Sequence, residues 1–530
     1  MTIADYLAKK LYNSGVRHVF GVPGGASIPW IEAFRNAGIE FVLTTGEAAA
    51  GIMADVTYRL TGIPGVCHAT FGPGATNIAT GTGCAFLDRS SVIVLTSEMD
   101  NTMIKRTTQM NIDHQALFRP LTKATFRLRP DNTPEILSEA LKICREEYPG
   151  PVHIGLPADI AGAVTDSIPE DETDTKEYRN SGNPENIRSL LEKSRRPLIA
   201  AGLTARRLGI QPLLLRFLEK YNIPVVLTPM AKGIINENHP SYAGVLFHSL
   251  SDYLEELYHK TDLIIGIGYD PVEYNYESWI PEVPLIHFDT RVTDMPATID
   301  ALQFAGSPAD WFSILGNLNP GYIIREHSVI KGIRDEMLSV FEGFTGHFGP
   351  VSALKILKEE LPADAIISVD VGSHLHLAGQ YWETRGKGNL IISNGWSGMG
   401  FGIPSTIAAA ISKPFVRSVC ITGDGGFLMC AGEMMTVRRN NLPVIIVVLS
   451  DGELNLIKLK QTWKDIKPYG TNLYHGDLFG SDMFFGVKIL RADSGEAMEK
   501  AISTALLLNE PVIINAIIDP DDYNWLVVRK

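Results

Sequence analysis

Short apolar runs of strand length recur along the chain, each followed by a stretch with apolar residues at helical spacing. HVFGV, EFVLT, GVCHAT and SVIVLTS lie in the first third, PLIAAG, PVVLTP and DLIIGIG in the middle, and AIISVD, SVCITGDG, PVIIVVLSD and PVIINAII in the last. Runs without polar alternation belong to strands buried on both faces, and strands alternating with helices pair in parallel. The pattern therefore predicts an α/β protein built of three doubly wound parallel sheets. At the N-terminus Ile3, Leu7 and Leu11 fall on one face of an amphipathic helix, with no basic-then-apolar plan of an export signal. Between Pro169 and Asn180 the segment PEDETDTKEYRN loses the apolar pattern and concentrates charge, and a second gap lies from Gly343 to Pro350. Domains are accordingly expected at 1–165, 185–325 and 345–530.

Composition narrows the classes. A chain of 530 residues that is 45% hydrophobic and 20% charged has ample apolar surface to bury, which excludes disorder and a small disulfide-stapled module. Against 47 Lys and Arg stand 60 Asp and Glu, a net charge of −13, opposite to the footprint of a nucleic-acid binder. The purest apolar run, VIIVVL from Val444 to Leu449, is far below the roughly 20 residues that cross a bilayer, so no membrane role is expected. Five cysteines, scattered and without a C-x-x-C spacing, indicate neither a disulfide framework nor a zinc knuckle, and point to a reducing, cytoplasmic setting.

Four glycine-rich turns follow strands: VPGGAS at Val22 to Ser27, FGPGATN at Phe71 to Asn77, GIGYDP at Gly266 to Pro271, and ITGDGGF at Ile421 to Phe427. Such turns bring backbone N–H groups close to a phosphate at a helix N-terminus. GIGYDP lacks the third glycine of a dinucleotide fingerprint and reads as an ordinary turn. ITGDGGF differs, because Asp424 sits between glycines directly after a buried strand, where it can hold a cation against a phosphate on the same turn. The next strand ends in Ser450-Asp451-Gly452-Glu453, 27 positions on from Asp424, the length of one excursion between neighbouring parallel strands. Both acids can thus meet at one sheet edge.

This pattern resembles that of thiamine-diphosphate-dependent enzymes. Glu47 in TTGEAAAGIMADVTYRLTG resembles the family's cofactor glutamate, FGPGATN its SGPGATN turn, and SGMGFGIP at Ser397 to Pro404 the stretch supporting the bent cofactor. Within the family the chain is most similar to FAD-independent acetolactate synthases and carboxyethylarginine synthase. The resemblance implies a pyrimidine-binding, a central and a diphosphate-binding domain, and decarboxylation and carboligation of a 2-oxo acid. The alternatives are a related ligase with another donor or acceptor, a simple 2-oxo acid decarboxylase, or a non-catalytic homologue. Cofactors implied are thiamine diphosphate and Mg2+, with FAD not expected.

Residue by residue, the resemblance makes Glu47 the group that activates the aminopyrimidine. Pro73, Asn77, Gly372, Ser373, His374, Ser397, Met399, Gly423, Gly425 and Gly426 become cofactor contacts. Asp424, Asp451 and the backbone oxygen of Glu453 become metal ligands. Gly25, with Gly24, matches a loop over the reacting carbon, and either Gln109 or Gln115 matches a pocket glutamine. Lys458 and Lys460 fall in a pocket-lining segment, although lysines on a helix are usually solvated. Two positions depart from the usual pattern: Gly46 where histidine is common, and Asp451 where asparagine is common. The resemblance also implies a homodimer or homotetramer with active sites between subunits.

Overall fold

The computed structural model of the chain describes residues 1–165, 178–273, 282–295, 301–321, 323, 327–344 and 346–527. The charged connection that begins at Pro169 lies outside them as far as residue 177. Three sheets form in succession, as the alternation of apolar runs and helical stretches predicts. In the first, all parallel, the order is Glu40–Leu43, His18–Val22, Gly65–Ala69, Val92–Glu98, Val152–Pro157, Ala124–Arg127. The second is also parallel throughout, in the order Ala301–Ala305, Leu285–Asp289, Leu263–Ile267, Pro197–Ala201, Val225–Leu227, Tyr242–Val245. The third runs Leu390–Ile391, Ile366–Val369, Ser418–Gly423, Ile445–Ser450, Val512–Ile517, Val487–Ala492, and closes on Met483–Phe484, its one antiparallel member. Among the described residues no helix is long and apolar enough to cross a membrane.

Strand order determines where ligands can bind. In the first sheet the chain moves from His18–Val22 to one side and then to the other, so a crevice opens beyond the carboxyl ends of His18–Val22 and Gly65–Ala69. The same reversal occurs in the third sheet between Ile366–Val369 and Ser418–Gly423, and in the second between Pro197–Ala201 and Leu263–Ile267. The VPGGAS and FGPGATN turns flank the first crevice, and ITGDGGF flanks the crevice of the third sheet.

The domains share cores. One apolar cluster joins Phe20, Met53 and Ile78 of the first domain to Phe401, Ile407 and Phe427 of the third. Another joins Leu198 and Met230 of the central domain to Leu357 and Ile421. At the centre of the first contact lies the helix Glu47–Thr61, packed against Pro73–Leu87 and against Gly402–Ser412. Its approach to Pro73–Leu87 is set by two glycines. A Cβ on Gly51 would stand 2.7 Å from the Cα of Gly81, and one on Gly81 would stand 2.6 Å from the carbonyl oxygen of Ala48.

No side chain fits at that crossing, so Gly51→Val must push the two helices apart. The expected cost is ~1–3 kcal/mol of stability, read as a lower midpoint of chemical denaturation. A midpoint equal to that of the parent would show that the crossing tolerates bulk.

Candidate functional site

The helix that carries Glu47 starts directly after Gly46, an extended N-cap, so Glu47 is its first residue. There a carboxylate is favoured by the unpaired N–H groups and the dipole. Glu47 is half-buried, and its Oε2 accepts from Nδ2 of Asn77 at 3.1 Å. A Cβ on Gly74 would stand 3.3 Å from Oε1. The FGPGATN turn therefore lies against the glutamate: Gly72 takes φ of +67°, Pro73 opens the helix Pro73–Leu87, and Asn77 projects from its second turn. The segment leading to Glu47 is held from the third domain. Buried Glu433 accepts from Thr45 N at 3.0 Å, Thr45 Oγ1 at 2.6 Å and Gly46 N at 2.9 Å.

Across this crevice, Gly24 approaches Thr70 so closely that a Cβ would overlap it, whereas Gly25 faces open space. Gly24 N donates to Ser27 Oγ at 3.0 Å, and Ser27 Oγ lies 2.7 Å from Nε2 of His68. Burial holds His68 down to about 4, so the ring is neutral at pH 7. Of the two candidate glutamines, Gln109 is exposed. Gln115 donates to Oε1 of Glu98 at 2.5 Å, and the other oxygen of Glu98 accepts from Arg127 Nε at 2.6 Å.

The second cluster lies at the edge of the third sheet. Register places Gly423 beside Leu449, so Asp424 and Asp451 follow neighbouring strand ends, as their spacing predicts. Asp424 Oδ2 accepts from Gly452 N at 2.7 Å, Tyr474 OH at 3.0 Å and Asp451 N at 3.2 Å. Asp451 accepts from Glu453 N at 3.0 Å and Asn455 Nδ2 at 3.1 Å. Burial raises both acids above the usual carboxylate range, and Asp451, with Asp424 as second cause, is pushed up to about 7. Buried Asp424 disfavours the charge of half-buried Asp451, a repulsion that a divalent cation relieves. Glu453 spends its side chain on an ion pair with Lys458, and Lys460 is exposed.

On the adjacent strand end, Gly372 precedes the helix Ser373–Tyr381. Ser373 Oγ and His374 Nε2 are buried there without a partner. Burial lowers His374 to about 4, and a Cβ on Gly423 would stand 3.3 Å from its Cε1. The orphaned Ser373 hydroxyl, at a helix N-terminus on the strand end next to that of Asp424, fits a diphosphate, whereas a neutral His374 that donates to the Asp370 carbonyl leaves Nε2 as an acceptor. Ser397 holds a left-handed φ of +51°, its hydroxyl donating to Asn394 O at 2.6 Å. Met399 reaches toward Gly425, where a Cβ would stand 2.8 Å from its Cε, and a Cβ on Gly426 would stand 2.6 Å from Oδ2 of Asp370.

Three residues that the motifs do not contain hold the two clusters in place. Asp370 Oδ1 accepts from Val371 N at 2.6 Å, Gly400 N at 2.9 Å and Phe401 N at 3.3 Å, tying the Ser397–Phe401 stretch to the strand end. Tyr474 is the second, through Asp424, and Glu433 is the third, which grips instead the segment ahead of Glu47. Within one chain, Glu47's side chain bonds Asn77 and that of Asp424 bonds third-domain groups; among the described residues no hydrogen bond joins the two clusters.

The central domain's crevice is filled from within. The carboxylate of Glu273 accepts from Leu203 N at 2.7 Å and from Met230 N at 3.3 Å, and burial pushes it up to about 8. Gly268 of GIGYDP takes φ of +55° against Ala205, in keeping with an ordinary turn.

Comparison with known proteins agrees with this geometry. Three models of the thiamine pyrophosphate enzyme family match in chain order: the N-terminal TPP binding domain at residues 1–117, the central domain at 185–314 and the C-terminal TPP binding domain at 370–516. A probable acetolactate synthase large subunit of Methanocaldococcus jannaschii is 31% identical over 550 residues, covering 98% of this chain and 92% of that one. The acetolactate synthase isozyme 2 large subunit of Escherichia coli is 29% identical over 549 residues, covering 100% and 97%. An acetolactate synthase of Bacillus subtilis is 26% identical over 542 residues, covering 98% and 93%. The chain therefore belongs to the thiamine pyrophosphate enzymes and is a relative of the acetolactate synthases.

Proposed function

We propose that this protein decarboxylates one 2-oxo acid and joins the remaining carbons to a second carbonyl compound, as an acetolactate synthase does. The observation that carries the reading is the pair of sheet edges: Glu47 at a helix start, and orphaned Ser373 and His374 beside Asp424 and Asp451. Bound thiamine diphosphate supplies the electron sink that makes loss of carbon dioxide and carbon–carbon bond formation possible. Glu47 holds or accepts a proton at the aminopyrimidine side, kept in place by Asn77 and by the grip of Glu433 on Thr45 and Gly46. Ser373, beside His374, and the Gly423 to Gly426 turn take the diphosphate; Asp424, Asp451 and the carbonyl of Glu453 take Mg2+. Met399 and the Ser397 carbonyl support the cofactor's bend, while Gly25 and either Gln109 or Gln115 meet the substrate.

In this reading the three domains are 1–165 for the pyrimidine, 185–325 at the centre, and 345–530 for diphosphate and metal. Glu273 supports a central domain without FAD, because it uses the turn's backbone donors itself. All five cysteines are free thiols, which supports a cytoplasmic setting. A homodimer or homotetramer completes each site, since exposed apolar residues flank both clusters. Ile28, Met110 and Ile112 lie near the first, Leu428, Met429 and Ile457 near the second.

Release of carbon dioxide from pyruvate, with acetolactate as product, tests the reaction. A broad donor screen without turnover would leave a binding protein in its place. Glu47→Gln is expected to keep cofactor affinity while slowing turnover by roughly 10² to 10⁴-fold, together with hydrogen exchange at the cofactor's reactive carbon. Parent-like exchange in that variant contradicts the role of Glu47. Asp424→Ala should abolish metal-dependent cofactor binding measured by calorimetry, whereas Asp451→Asn, which keeps an oxygen at the same reach, should retain it. The reverse pattern would remove the ligand assignment. Finally, mixing inactive Glu47→Gln and Asp424→Ala chains under exchange conditions should restore activity, because one site of a mixed dimer inherits neither defect. Full activity of a sedimenting monomer argues against shared sites.

A further inference from the structure

A cavity of about 420 Å³ lies where the three domains of the chain meet, lined among others by Arg59, Asp88, Arg89, Arg206, Arg207 and Lys387. Five of these side chains are cationic and one is acidic. Two of the cations are neutralised: Arg89 by Asp270 at 2.7 and 2.9 Å, and Arg207 by Glu147. Arg59 is ion-paired with Asp55 at 3.5 Å and Asp88 at 3.8 Å, both beyond good hydrogen-bond length, and its Nη2 donates to Ile392 O at 2.7 Å. Arg206 has no carboxylate within ion-pair distance among the described residues. It donates to the carbonyls of Gly388 at 2.6 Å, Leu390 at 3.1 Å and Met230 at 3.1 Å.

Donors are left over as well. Nη1 of Arg59 and Nε of Arg207 are buried without an acceptor, on side chains only 15% and 8% exposed. Burial and the nearby Arg59 lower Arg206 to about 10, which is what uncompensated positive charge does to a guanidinium. Leaving a buried cation unpaired is costly, and an anion in the cavity would remove that cost. Space is available, since nothing stands within 4 Å of a Cβ built on lining Gly62 or Gly209.

We propose that this cavity binds a small phosphate-bearing anion. Planar guanidinium groups present paired N–H donors at the spacing of phosphate oxygens, and lysine adds a point charge at the rim. The volume exceeds what bare phosphate fills and suits a compact phosphate ester. Leu203 and Met230, at the strand ends of the central sheet, also line this cavity, but Glu273 takes their backbone donors, so the cationic side chains and not those amides would hold the anion. Arg59 stands in the last turn of the helix that Glu47 begins, Arg206 in the central domain, and Lys387 just before the strand Leu390–Ile391. One anion would thus bridge all three domains, about 18 Å along that helix from Glu47 at 1.5 Å per residue.

The test uses holoenzyme saturated with thiamine diphosphate and Mg2+, titrated with inorganic phosphate and followed by calorimetry and by unfolding temperature. Sodium chloride at matched ionic strength is the control, and succinate is the dicarboxylate arm. Phosphate should give a saturable rise in unfolding temperature above the chloride control, and succinate a smaller one. Arg206→Gln should weaken the phosphate affinity at least tenfold and Lys387→Gln at least threefold, both keeping parent kcat to within twofold. Lys387 is exposed, so its variant folds whatever Arg206 contributes to stability. The proposal falls if the parent shows no saturable response beyond chloride, if both variants respond as the parent does, or if succinate binds more tightly than phosphate.

Discussion

Parallel strands all present their carboxyl ends at one edge of a sheet, and this geometric constraint carries the rest of the molecule. It places turns separated by many residues side by side, so that Gly423 to Gly426, Asp451 and Ser373 meet although each follows a different strand. The same edge exposes backbone N–H groups and helix N-termini, which attract anions and favour carboxylates at helix starts. Glu47 and Asp424 both open helices in this way. Acids concentrated there are costly unless they are hydrogen-bonded or bind a cation. The chain satisfies them through its backbone, as with Asp370, Asp424 and Asp451.

Domain packing then decides how firmly those edges are held. Glu433 belongs to the third domain, a few residues beyond the acid turn, yet its carboxylate accepts from the backbone just ahead of Glu47. Arg439 adds a donation to Leu43 O at 2.7 Å. The two functional clusters of one chain are therefore mechanically connected without touching. Trp396, three residues before Met399, fills the space that a side chain on Gly83 would need, so the loop supporting the second cluster rests on the helix that carries Asn77.

Most of the legible strands have apolar runs buried on both faces, whereas the equally buried Val152–Pro157 and Leu285–Asp289 are interrupted by a histidine and did not stand out. Nor did others. Ala124–Arg127 is only half-buried and lies at a sheet edge, and Val487–Ala492 alternates charged and apolar residues. The antiparallel Met483–Phe484 is two residues long and offers no period to read. At the site, Glu47 and the Asp424 to Asp451 spacing stood out as motifs. Asp370 could have been found by the same reasoning that singled out Asp424, an acid directly after a buried strand. Tyr474 and Glu433 could not, because their partners lie far away in sequence and their own surroundings carry no pattern. Nor does spacing reveal that Lys458 is paired with Glu453.

Glu273 behaves as a ligand tethered to its own receptor. Any free anion seeking the donors of Leu203 and Met230 competes with a carboxylate that the fold holds beside them, at an effective concentration of the order of millimolar or above. It must also expel a buried acid that has nowhere comparable to go. Substituting that one side chain would do more than open space in the central domain: it would uncover two backbone donors at the end of a parallel strand, the raw material of a nucleotide site. Whether the amides at that strand end are open or taken is therefore decided by a single side chain.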